Sequence, residues 1–521
     1  SGTDADVTID GGTTALNIGA STIDGDLTVT SGNASGIIDS GNVTVGGNLV
    51  ATTDDNNGVI NLGTTTVTGT VSLNTNGSGN ATLDNATSDI DLAASAVGGT
   101  LTLTSGAAAG ITDSGNVTVG VNLVATTDAN NGVINLGTTA VTGTVSLNTN
   151  GSGNATLDNG ALNLDLAASN VGGSLTVTSG AAAGITDSGT VTVGVDLIAT
   201  TDDNNGVIDL GELAVTGDMD LTTDGSGNAT IVNAAVDFKD SEIGGALSAT
   251  ASSGDITDTG RLTVGTTSTF KVANSQNIIL DSASNAFTGA VTMQANAGSG
   301  TFGNITFVDS AAVRINSSAA ANGDLYIDGG TDDQVGGNLT ITATTGDITD
   351  NTNVTVTGNS TFTTLADAGA ITLNNTNAFG GWVKLTTTDS SGNDSHATID
   401  NGTTALILNT GSVVKGNLTV TTGHVSGITD NGAVTVGGNL VATTDDNNGV
   451  IDLGTTTVTG TMDLTSHGSG NVTIDNANTD IVLIASEIGG NLTLTTGNAS
   501  GIIDSGTVMV GGNLVVTTDD N

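Results

Sequence analysis

The sequence predicts an all-β protein, a single-stranded parallel β-solenoid of about 20 coils with roughly 22 to 30 residues each. Three observations predict this fold: repeats of fixed length, period-two alternation of apolar and polar residues, and an aliphatic composition. Hydrophobic residues make up 36% of the 521 residues but aromatic residues only 2%, and the chain holds 78 Gly, no Pro and no Cys. Because globular cores draw much of their buried area from aromatic rings, we expect a thin, repetitive interior of Val, Ile, Leu and Ala.

A long repeat organises the chain. Segments related to Ile-Thr-Asp-Ser-Gly begin at Ile37, Ile111 and Ile185, which are 74 residues apart, and Ile428 and Ile502 show the same spacing. Between Ile185 and Ile428 the corresponding steps are 71, 92 and 80 residues. Fixed periods of this size are typical of solenoids, whose repeats bury their apolar surface against their neighbours.

A shorter period lies within the long one. Apolar anchors, each followed four positions later by a second apolar residue in the regular parts of the chain, are spaced by 22, 22 and 30 residues. The first anchors are Ile23, Val45, Val67 and Val97. We interpret each 74-residue unit as three coils. The extra residues of the longest coil, 87–94, are placed in a lengthened strand or a protruding loop.

Alternation around each anchor predicts short strands with one buried and one solvated face. Val71 and Leu73, for example, alternate with Thr70, Ser72 and Asn74. Clusters of Asp, Asn and Gly between the strands accept the positive φ angles of sharp turns. Three strands of roughly five residues, with three turns, fill one coil of the shorter period.

Equivalent positions of successive coils are expected to lie directly above one another. Leu49, Val71 and Leu101 should form a single file in the interior, because parallel strands stack about 4.8 Å apart. Outside, the residues that precede these positions should form a polar ladder, whose members are Asn48, Thr70, Thr100, Asn122, Thr144 and Ser174.

Regularity divides the chain into three parts. Residues 1–264 and 416–521 follow the 74-residue unit, whereas residues 265–415 form an irregular solenoid with insertions. Residues 1–63 resemble residues 391–454, which indicates a super-repeat of about 390 residues. We therefore expect further repeats of a longer chain, or copies that stack end to end.

Segments similar to Gly-Gly-Asn-Leu-Thr-Val-Thr recur along the chain, as at Gly46–Val50, Gly337–Thr340 and Gly490–Leu494. In these segments the chain resembles the filamentous-haemagglutinin-type adhesins and the passengers of autotransporters. The resemblance implies a right-handed β-helix, export from a bacterial cell and a role in adhesion. The sequence departs from those families in its near absence of Lys and Arg.

The charge balance restricts the partners. The chain has 52 Asp and Glu against 6 Lys and Arg, which gives a net charge of -46. Binding of nucleic acid or anionic lipid needs a basic surface, so neither is expected as a partner. No run of about 18 apolar residues occurs, so no membrane insertion is expected. The acidic surface favours solubility, divalent cations or basic partners.

Catalysis is not expected. One Asp recurs at Asp39, Asp113, Asp187, Asp258, Asp350, Asp430 and Asp504. Copies three coils apart are separated by about 14 Å, which is too far for paired catalytic carboxylates. We interpret them as turn residues. The three histidines share no spacing, and surface positions are expected for them.

Calcium is the one cofactor for which the sequence offers candidates. Acidic pairs in turns supply the oxygen ligands that this ion prefers, and the candidate ligands are Asp54, Asp55, Asp202, Asp203, Asp445 and Asp446. These pairs lack the fixed spacing of the nonapeptide calcium repeat, so solvated turns that keep fibres apart are the competing interpretation. Outward rows of Thr raise ice binding as a further idea, although Thr suits any pleated surface.

Together these features predict a secreted structural fibre or cell-surface filament of a prokaryote, without enzymatic activity. Stacked coils would give a stiff rod whose copies associate end to end or laterally. The alternative prediction is an adhesin stalk that binds carbohydrate or a cell surface through loops in residues 265–415.

Overall fold

The structure is a computed structural model. It describes residues 5–63, 65–137, 139–295, 300–329, 331–332, 334–390 and 394–518. Two compact units comprise residues 1–249 and 250–521. None of the described residues lies in a helix, and no helix that could cross a membrane is found among them.

The strands of the amino-terminal half are short and closely spaced. In residues 7–251 they are β1 Val7–Asp10, β2 Leu16–Ile18, β3 Ser21–Ile23, β4 Leu27–Ser31, β5 Ile37–Asp39, β6 Val43–Val45, β7 Leu49–Thr53, β8 Ile60–Leu62, β9 Thr65–Val67, β10 Thr70–Asn74, β11 Ala81–Asp84, β12 Ile90–Leu92, β13 Ser95–Val97, β14 Leu101–Ser105, β15 Ile111–Asp113, β16 Val117–Val119, β17 Leu123–Thr127, β18 Ile134–Leu136, β19 Thr139–Val141, β20 Thr144–Asn148, β21 Ala155–Asp158, β22 Leu164–Leu166, β23 Ser169–Val171, β24 Leu175–Ser179, β25 Ile185–Asp187, β26 Val191–Val193, β27 Leu197–Thr201, β28 Ile208–Leu210, β29 Leu213–Val215, β30 Met219–Thr222, β31 Ala229–Asn233, β32 Val236–Phe238, β33 Ser241–Ile243 and β34 Leu247–Ala251.

The strands of the carboxyl-terminal half are less uniform in length. In residues 256–518 they are β35 Ile256–Asp258, β36 Leu262–Val264, β37 Ser268–Val272, β38 Ile278–Leu280, β39 Ala286–Phe287, β40 Val291–Ala295, β41 Ile305–Asp309, β42 Val313–Ile315, β43 Asp324–Gly329, β44 Thr331–Asp332, β45 Gln334–Val335, β46 Leu339–Ala343, β47 Ile348–Asp350, β48 Thr355–Val356, β49 Ser360–Asp367, β50 Ile371–Leu373, β51 Ala378–Phe379, β52 Trp382–Thr388, β53 Ala397–Asp400, β54 Leu406–Leu408, β55 Ser412–Val414, β56 Leu418–Thr422, β57 Ile428–Asp430, β58 Val434–Val436, β59 Leu440–Thr444, β60 Ile451–Leu453, β61 Thr456–Val458, β62 Thr461–Ser466, β63 Val472–Asp475, β64 Ile481–Leu483, β65 Ser486–Ile488, β66 Leu492–Thr496, β67 Ile502–Asp504, β68 Val508–Val510 and β69 Leu514–Thr518.

In the first unit, strands of successive coils pair in parallel. Leu27 lies opposite Leu49, and Leu49 lies opposite Val71, so that residues 22 positions apart are stacked. Along β4 and β7 the inward side chains are buried, and the residues between them face outward. The predicted all-β parallel solenoid is confirmed, with about 23 turns rather than about 20. Its right-handedness stays a prediction.

The single file predicted for Leu49, Val71 and Leu101 is wrong at its last member. Val71 is covered by Leu92, whereas Leu101 stacks on Ala81 in a different sheet. Alignment therefore holds across the 22-residue step but moves to another sheet across the 30-residue step. The interior is nonetheless filled by stacked aliphatic side chains, because all five of these residues are at most 1% exposed.

The 30-residue step contains an additional strand rather than a lengthened strand or a loop. Residues 87–94 include β12, whose Ile90 and Leu92 are fully buried. β12 stacks on the first half of β10, and β13 stacks on the end of β10. One 74-residue unit thus holds ten strands, β4 to β13, and makes more than three turns.

The five-residue strands change sheets from one 74-residue unit to the next. In the first unit, β4, β7 and β10 lie in one sheet, which we call sheet A, and their counterparts β14, β17 and β20 lie in sheet B. β24 and β27 return to sheet A. Equivalent outward residues, such as Thr28, Thr102 and Thr176, are therefore displayed on both sheets in turn.

Buried asparagines satisfy backbone groups where the columns of short strands end. Asn85 is fully buried, its Oδ1 accepts a hydrogen bond from the Val67 amide at 2.7 Å, and its Nδ2 donates to the carbonyls of Val67 and Asp89. Asn159 and Asn233 repeat these contacts at 74-residue intervals. An amide suits this position because it offers both a donor and an acceptor.

The second unit contains a duplication with a period of 92 residues. The two copies match at Val264 and Val356, Ser268 and Ser360, Phe270 and Phe362, and Phe287 and Phe379. In each copy two rings meet edge to face, with centroids 5.9 Å and 5.5 Å apart. A buried Ser replaces the Leu of the regular coils, because the rings occupy part of the same cross-section.

One strand of the second unit is inserted out of chain order. β43 lies between β40 and β42, although it follows β42 in the sequence. Arg314 of β42 pairs with Asp324 of β43 on one side and with Thr349 of β47 on the other. The chain therefore turns back by one layer before the solenoid continues.

Candidate binding face and cleft

The acidic pairs predicted as calcium ligands lie in exposed turns that close on their own backbone. The Asp55 carboxylate accepts a hydrogen bond from the Asn56 backbone amide at 2.7 Å, and Asn56 Nδ2 donates a hydrogen bond to the Gly32 carbonyl of the preceding coil. Asp54 donates its amide to the Ser31 carbonyl. The same turn is formed at Asp202, Asp203, Asp445 and Asp446.

These turns do not bring further ligands together. Within the described part of the chain, no three His, Cys, Asp or Glu side chains are grouped so that they could hold a metal ion. Asn56 and Asn57 adopt φ angles of 56° and 54°, which Asn tolerates better than most residues. The geometry accounts for the Asp-Asp-Asn-Asn-Gly sequence as a tight turn, and calcium binding stays a prediction.

The recurring Asp residues connect one coil to the next. Asp39 accepts the Gly63 amide at 3.1 Å, and Asp187 accepts the amides of Gly211 and Glu212 at 2.9 and 2.7 Å. The prediction that they are turn residues is wrong, because each of the seven is the last residue of a three-residue strand. At this position their carboxylates satisfy N–H groups of the following coil. These contacts give the periodic Asp a structural role.

In the two copies of the 92-residue duplication the equivalent carboxylate is buried. Asp258 accepts hydrogen bonds from the Asn285 side chain and from the amides of Asp281 and Ser282. Burial raises the pKa of Asp258 despite these three hydrogen bonds. Asp350 and Asn377, 92 residues further on, form the same contact at 2.7 Å.

The predicted outward ladder exists but is divided. The Asn48 side chain accepts the Thr70 amide at 2.8 Å, whereas Thr100, predicted as the next rung, donates its amide to Asn80. The reason is again the change of sheet across the 30-residue step. In the second unit one ladder connects Asp255, Asn277, Asn304, Asn338, Asn359 and Trp382.

The outward surface changes character on β37, β40 and β43. Lys271, Gln294 and Asp328 form one row across these strands, and Gln294 Nε2 donates to Asp328 Oδ2 at 3.0 Å. Tyr326, the chain's one Tyr, continues a second row beside it. We call this surface the polar face, and it consists of Thr269, Lys271, Thr292, Gln294, Tyr326 and Asp328.

A cleft of about 510 Å³ opens at β42, the strand paired with β43. Its apolar lining includes Phe287, Ala311 and Ala312, and its polar lining includes Arg314, Asn322, Asp347 and Thr349. We call it the Arg314 cleft. A volume of this size lies within the range typical of small-molecule sites.

Arg314 is held in place by a buried carboxylate. Asp324 is 1% exposed, and its Oδ1 contacts Arg314 Nε at 2.6 Å and Nη2 at 2.5 Å. Asp324 Oδ2 accepts the amides of Ala320 and Ala321, which fixes the loop before β43. Burial would raise the pKa of Asp324, but the hydrogen bonds from these groups outweigh burial and lower the pKa.

The second copy of the 92-residue duplication carries another unusual outward pair. Trp382 lies on β52 opposite Ile407, and Lys384 follows on the same face opposite Thr361. Trp382 and Lys384 face outward, because burial alternates along β52 and Val383 and Leu385 are among its buried residues. An aromatic ring and a cation thus share a surface on which regular strands such as β4 and β7 present Thr or Val.

Sequence reasoning indicated the region but missed the residues that build this site. Residues 265–415 contain the one Tyr and the one Trp, and four of the six cations, namely Lys271, Arg314, Lys384 and Lys415. The concentration of rare side chains in one stretch was the available signal. The partner of Arg314 could not be found in this way, because it depends on a strand inserted out of order.

The family described as repeats of unknown function (DUF5649) matches residues 4–54, 152–201, 226–294, 302–386 and 469–521, which is more than half of the chain. The chain belongs to this family. The matched segments lie within the β-solenoid and each spans more than one coil, and the match over residues 302–386 includes Arg314, Asp324 and Trp382. The protein is therefore a β-helix repeat protein. No curated protein and no solved structure matches the chain.

Proposed function

We propose that this DUF5649 protein is a non-catalytic structural component of an extracellular fibre or cell-surface filament, made by a prokaryote. The supporting observation is that equivalent outward rows occur on both sheets of the first unit, because the five-residue strands alternate between sheets A and B. A solenoid that repeats one surface on two sheets can contact copies of itself laterally on more than one side.

The acidic surface fits this role. The chain has a net charge of -46, and part of it resides on exposed turns such as those at Asp54 and Asp202. Repulsion between these turns would keep filaments soluble and limit random aggregation of strand edges. Divalent cations or a basic partner would then control how closely filaments approach.

End-to-end association of copies, or further repeats of a longer chain, would fit the internal similarity of the sequence. Residues 495–521 match residues 30–56 at all but four positions. Nearly identical coils can stack on one another in the same register.

Electron microscopy of the native material, with antibody labelling of intact cells, tests this proposal. We expect continuous labelled filaments many hundreds of ångströms long outside the cell. Filaments that lengthen when purified chains are concentrated would support self-association. A protein found only inside cells and without filaments would contradict the proposal.

An adhesin stalk is the second candidate, of the kind that the filamentous-haemagglutinin-type and autotransporter adhesins represent. The polar face, the Arg314 cleft and the Trp382 surface favour it, because they concentrate recognition-type side chains in one part of the second unit. Isolated rods anchored at a cell surface, together with binding of the purified chain to other cells or to glycans, would support this candidate.

A further inference from the structure

We propose that the Arg314 cleft binds a neutral saccharide. The inference deepens the adhesin candidate and rests on it, but it assigns a site and a ligand class. Its support comes from the chemistry of the lining, from the preorganisation of Arg314 and from the charge of the chain.

The lining matches the two kinds of surface on a pyranose ring. A sugar ring offers apolar C–H groups on its faces and hydroxyl groups, which both donate and accept hydrogen bonds, around its edge. The cleft combines the accessible apolar side chains of Ala311 and Ala312 with strong donors and acceptors on Arg314 and Asp347. Few polar groups around an apolar floor are typical of small-molecule sites.

Arg314 is oriented before any ligand arrives. Its contacts with Asp324 use Nε and Nη2, and a guanidinium has five N–H donors in a fixed plane. The Arg314 side chain is 36% exposed, whereas that of Asp324 is 1% exposed. Asp324 therefore anchors the guanidinium from the neighbouring strand β43, and ordering Arg314 costs little at the moment of binding.

The charges favour a neutral ligand over an acidic one. Asp324 already neutralises Arg314, and the exposed carboxylate of Asp347 lies on the same cleft. The net charge of -46 would also repel a polyanion on approach. Asp347 can instead accept a hydrogen bond from a sugar hydroxyl, which makes a charge-assisted contact.

The polar face offers a continuation of the same site. β43 carries both Asp324, which holds Arg314, and Tyr326 and Asp328, which belong to the polar face. The inserted strand thus connects the cleft and the polar face within one sheet. An oligosaccharide of several units could occupy the cleft with one ring and extend along this face.

Titration of the full chain with defined oligosaccharides tests the proposal. The probes are cellopentaose, maltopentaose and mannopentaose, with a galacturonate pentamer as the acidic comparison, and binding is measured by calorimetry and saturation-transfer NMR. At least one neutral probe should bind. Asp347→Asn should weaken that binding about tenfold, and Ala312→Trp, which fills the cleft, should abolish it.

A matched control comes from the first unit. Asp347 accepts the Ala370 amide at 2.8 Å, and Asp26 makes the same kind of contact with the Asn48 amide at 2.7 Å. Asp26→Asn should therefore leave saccharide binding unchanged. Circular dichroism and electron microscopy of each variant verify that the fold and any filaments persist, so that lost binding reports on the cleft.

Each result has a defined meaning. Binding of a neutral probe that both cleft variants weaken supports the proposal. Failure of all three neutral probes, or binding of the galacturonate pentamer alone, overturns it. Binding that neither Asp347→Asn nor Ala312→Trp affects overturns the assignment to the cleft, while the adhesin candidate survives.

Discussion

Replacing the buried Asn85 by Asp tests how much the hydrogen bonds of this side chain to the backbone stabilise the fold. The substitution Asn85→Asp is nearly isosteric, but it replaces the Nδ2 group by an oxygen. In the native chain Nδ2 donates to the carbonyls of Val67 and Asp89, and the side chain is fully buried. The introduced carboxylate would face two carbonyl oxygens without a donor between them.

The magnitude follows from these contacts. Two hydrogen bonds are lost, each worth about 1 kcal/mol. An uncompensated charge is also buried, so the total loss at neutral pH should be on the order of 3 to 5 kcal/mol. The Val67 amide keeps its acceptor, because Oδ1 is retained.

The loss should depend on pH in a defined direction. Burial and the two facing carbonyls raise the folded-state pKa of the introduced carboxyl above its unfolded value of about 3.9. Below the unfolded value the carboxyl is protonated in both states and can donate one hydrogen bond, so the loss is small. The loss grows as pH rises, and it is complete above the raised folded-state pKa.

Hydrogen exchange of the amides around β9 and β12, with thermal melting at pH 3.5 and pH 7, measures the effect. Asn61→Asp is the matched control, because Asn61 is exposed in the middle of β8. The control should change stability little at either pH. An equal loss for both variants, or a loss from Asn85→Asp that does not change with pH, would refute the reasoning.

Three further predictions concern single residues, two through a substitution and one through pH. Gly98→Ala should lower the free energy of unfolding by about 3 kcal/mol or more, because the added Cβ would lie 1.6 Å from the Gly77 carbonyl oxygen. Thermal unfolding measures the loss. Gly19→Ala is the control and should be nearly neutral, because no described atom outside its chain neighbours lies within 4 Å of the added Cβ. Ser360→Ala should raise the free energy of unfolding in denaturant by about 1 kcal/mol, because the buried Ser360 Oγ has no hydrogen-bond partner among the described residues. A lower free energy of unfolding would contradict this. Burial raises the pKa of Asp309 in the folded chain, so the coil that contains it should become less stable as pH rises from 4 through the raised pKa. Hydrogen exchange of the Phe287 amide, which donates to Asp309, measures this stability after correction for the intrinsic exchange rate. Stability that increased with pH would contradict the expected direction.

Alternation and spacing were sufficient to predict the coil but not the full stacking order. Leu49 and Val71 stack as expected because a 22-residue step returns the chain to the same sheet. The 30-residue step is compatible with one long coil or with an added strand, and spacing alone does not decide between them. Burial of Ile90 and Leu92 decides it, because only a stacked β12 removes both side chains from water.

The binding surface could be predicted only as a region. Arg314 and Asp324 are close in sequence, and such a pair is compatible with an ordinary surface loop. Their contact arises because β43 enters the sheet between β40 and β42. No local pattern encodes that order, since it depends on which neighbouring strand offers an unpaired edge.

The regular and irregular parts of the chain present different kinds of outward side chain. In the first unit, Thr28, Thr102 and Thr176 repeat one short polar surface, which suits contacts between identical copies. In the second unit, the polar face and the Arg314 cleft occur once among the described residues and combine long side chains of both charges. Because an interior of stacked apolar residues supports both parts, outward residues can change without altering the coil. An inserted strand such as β43 can therefore create a recognition site on a scaffold that remains suited to a fibre.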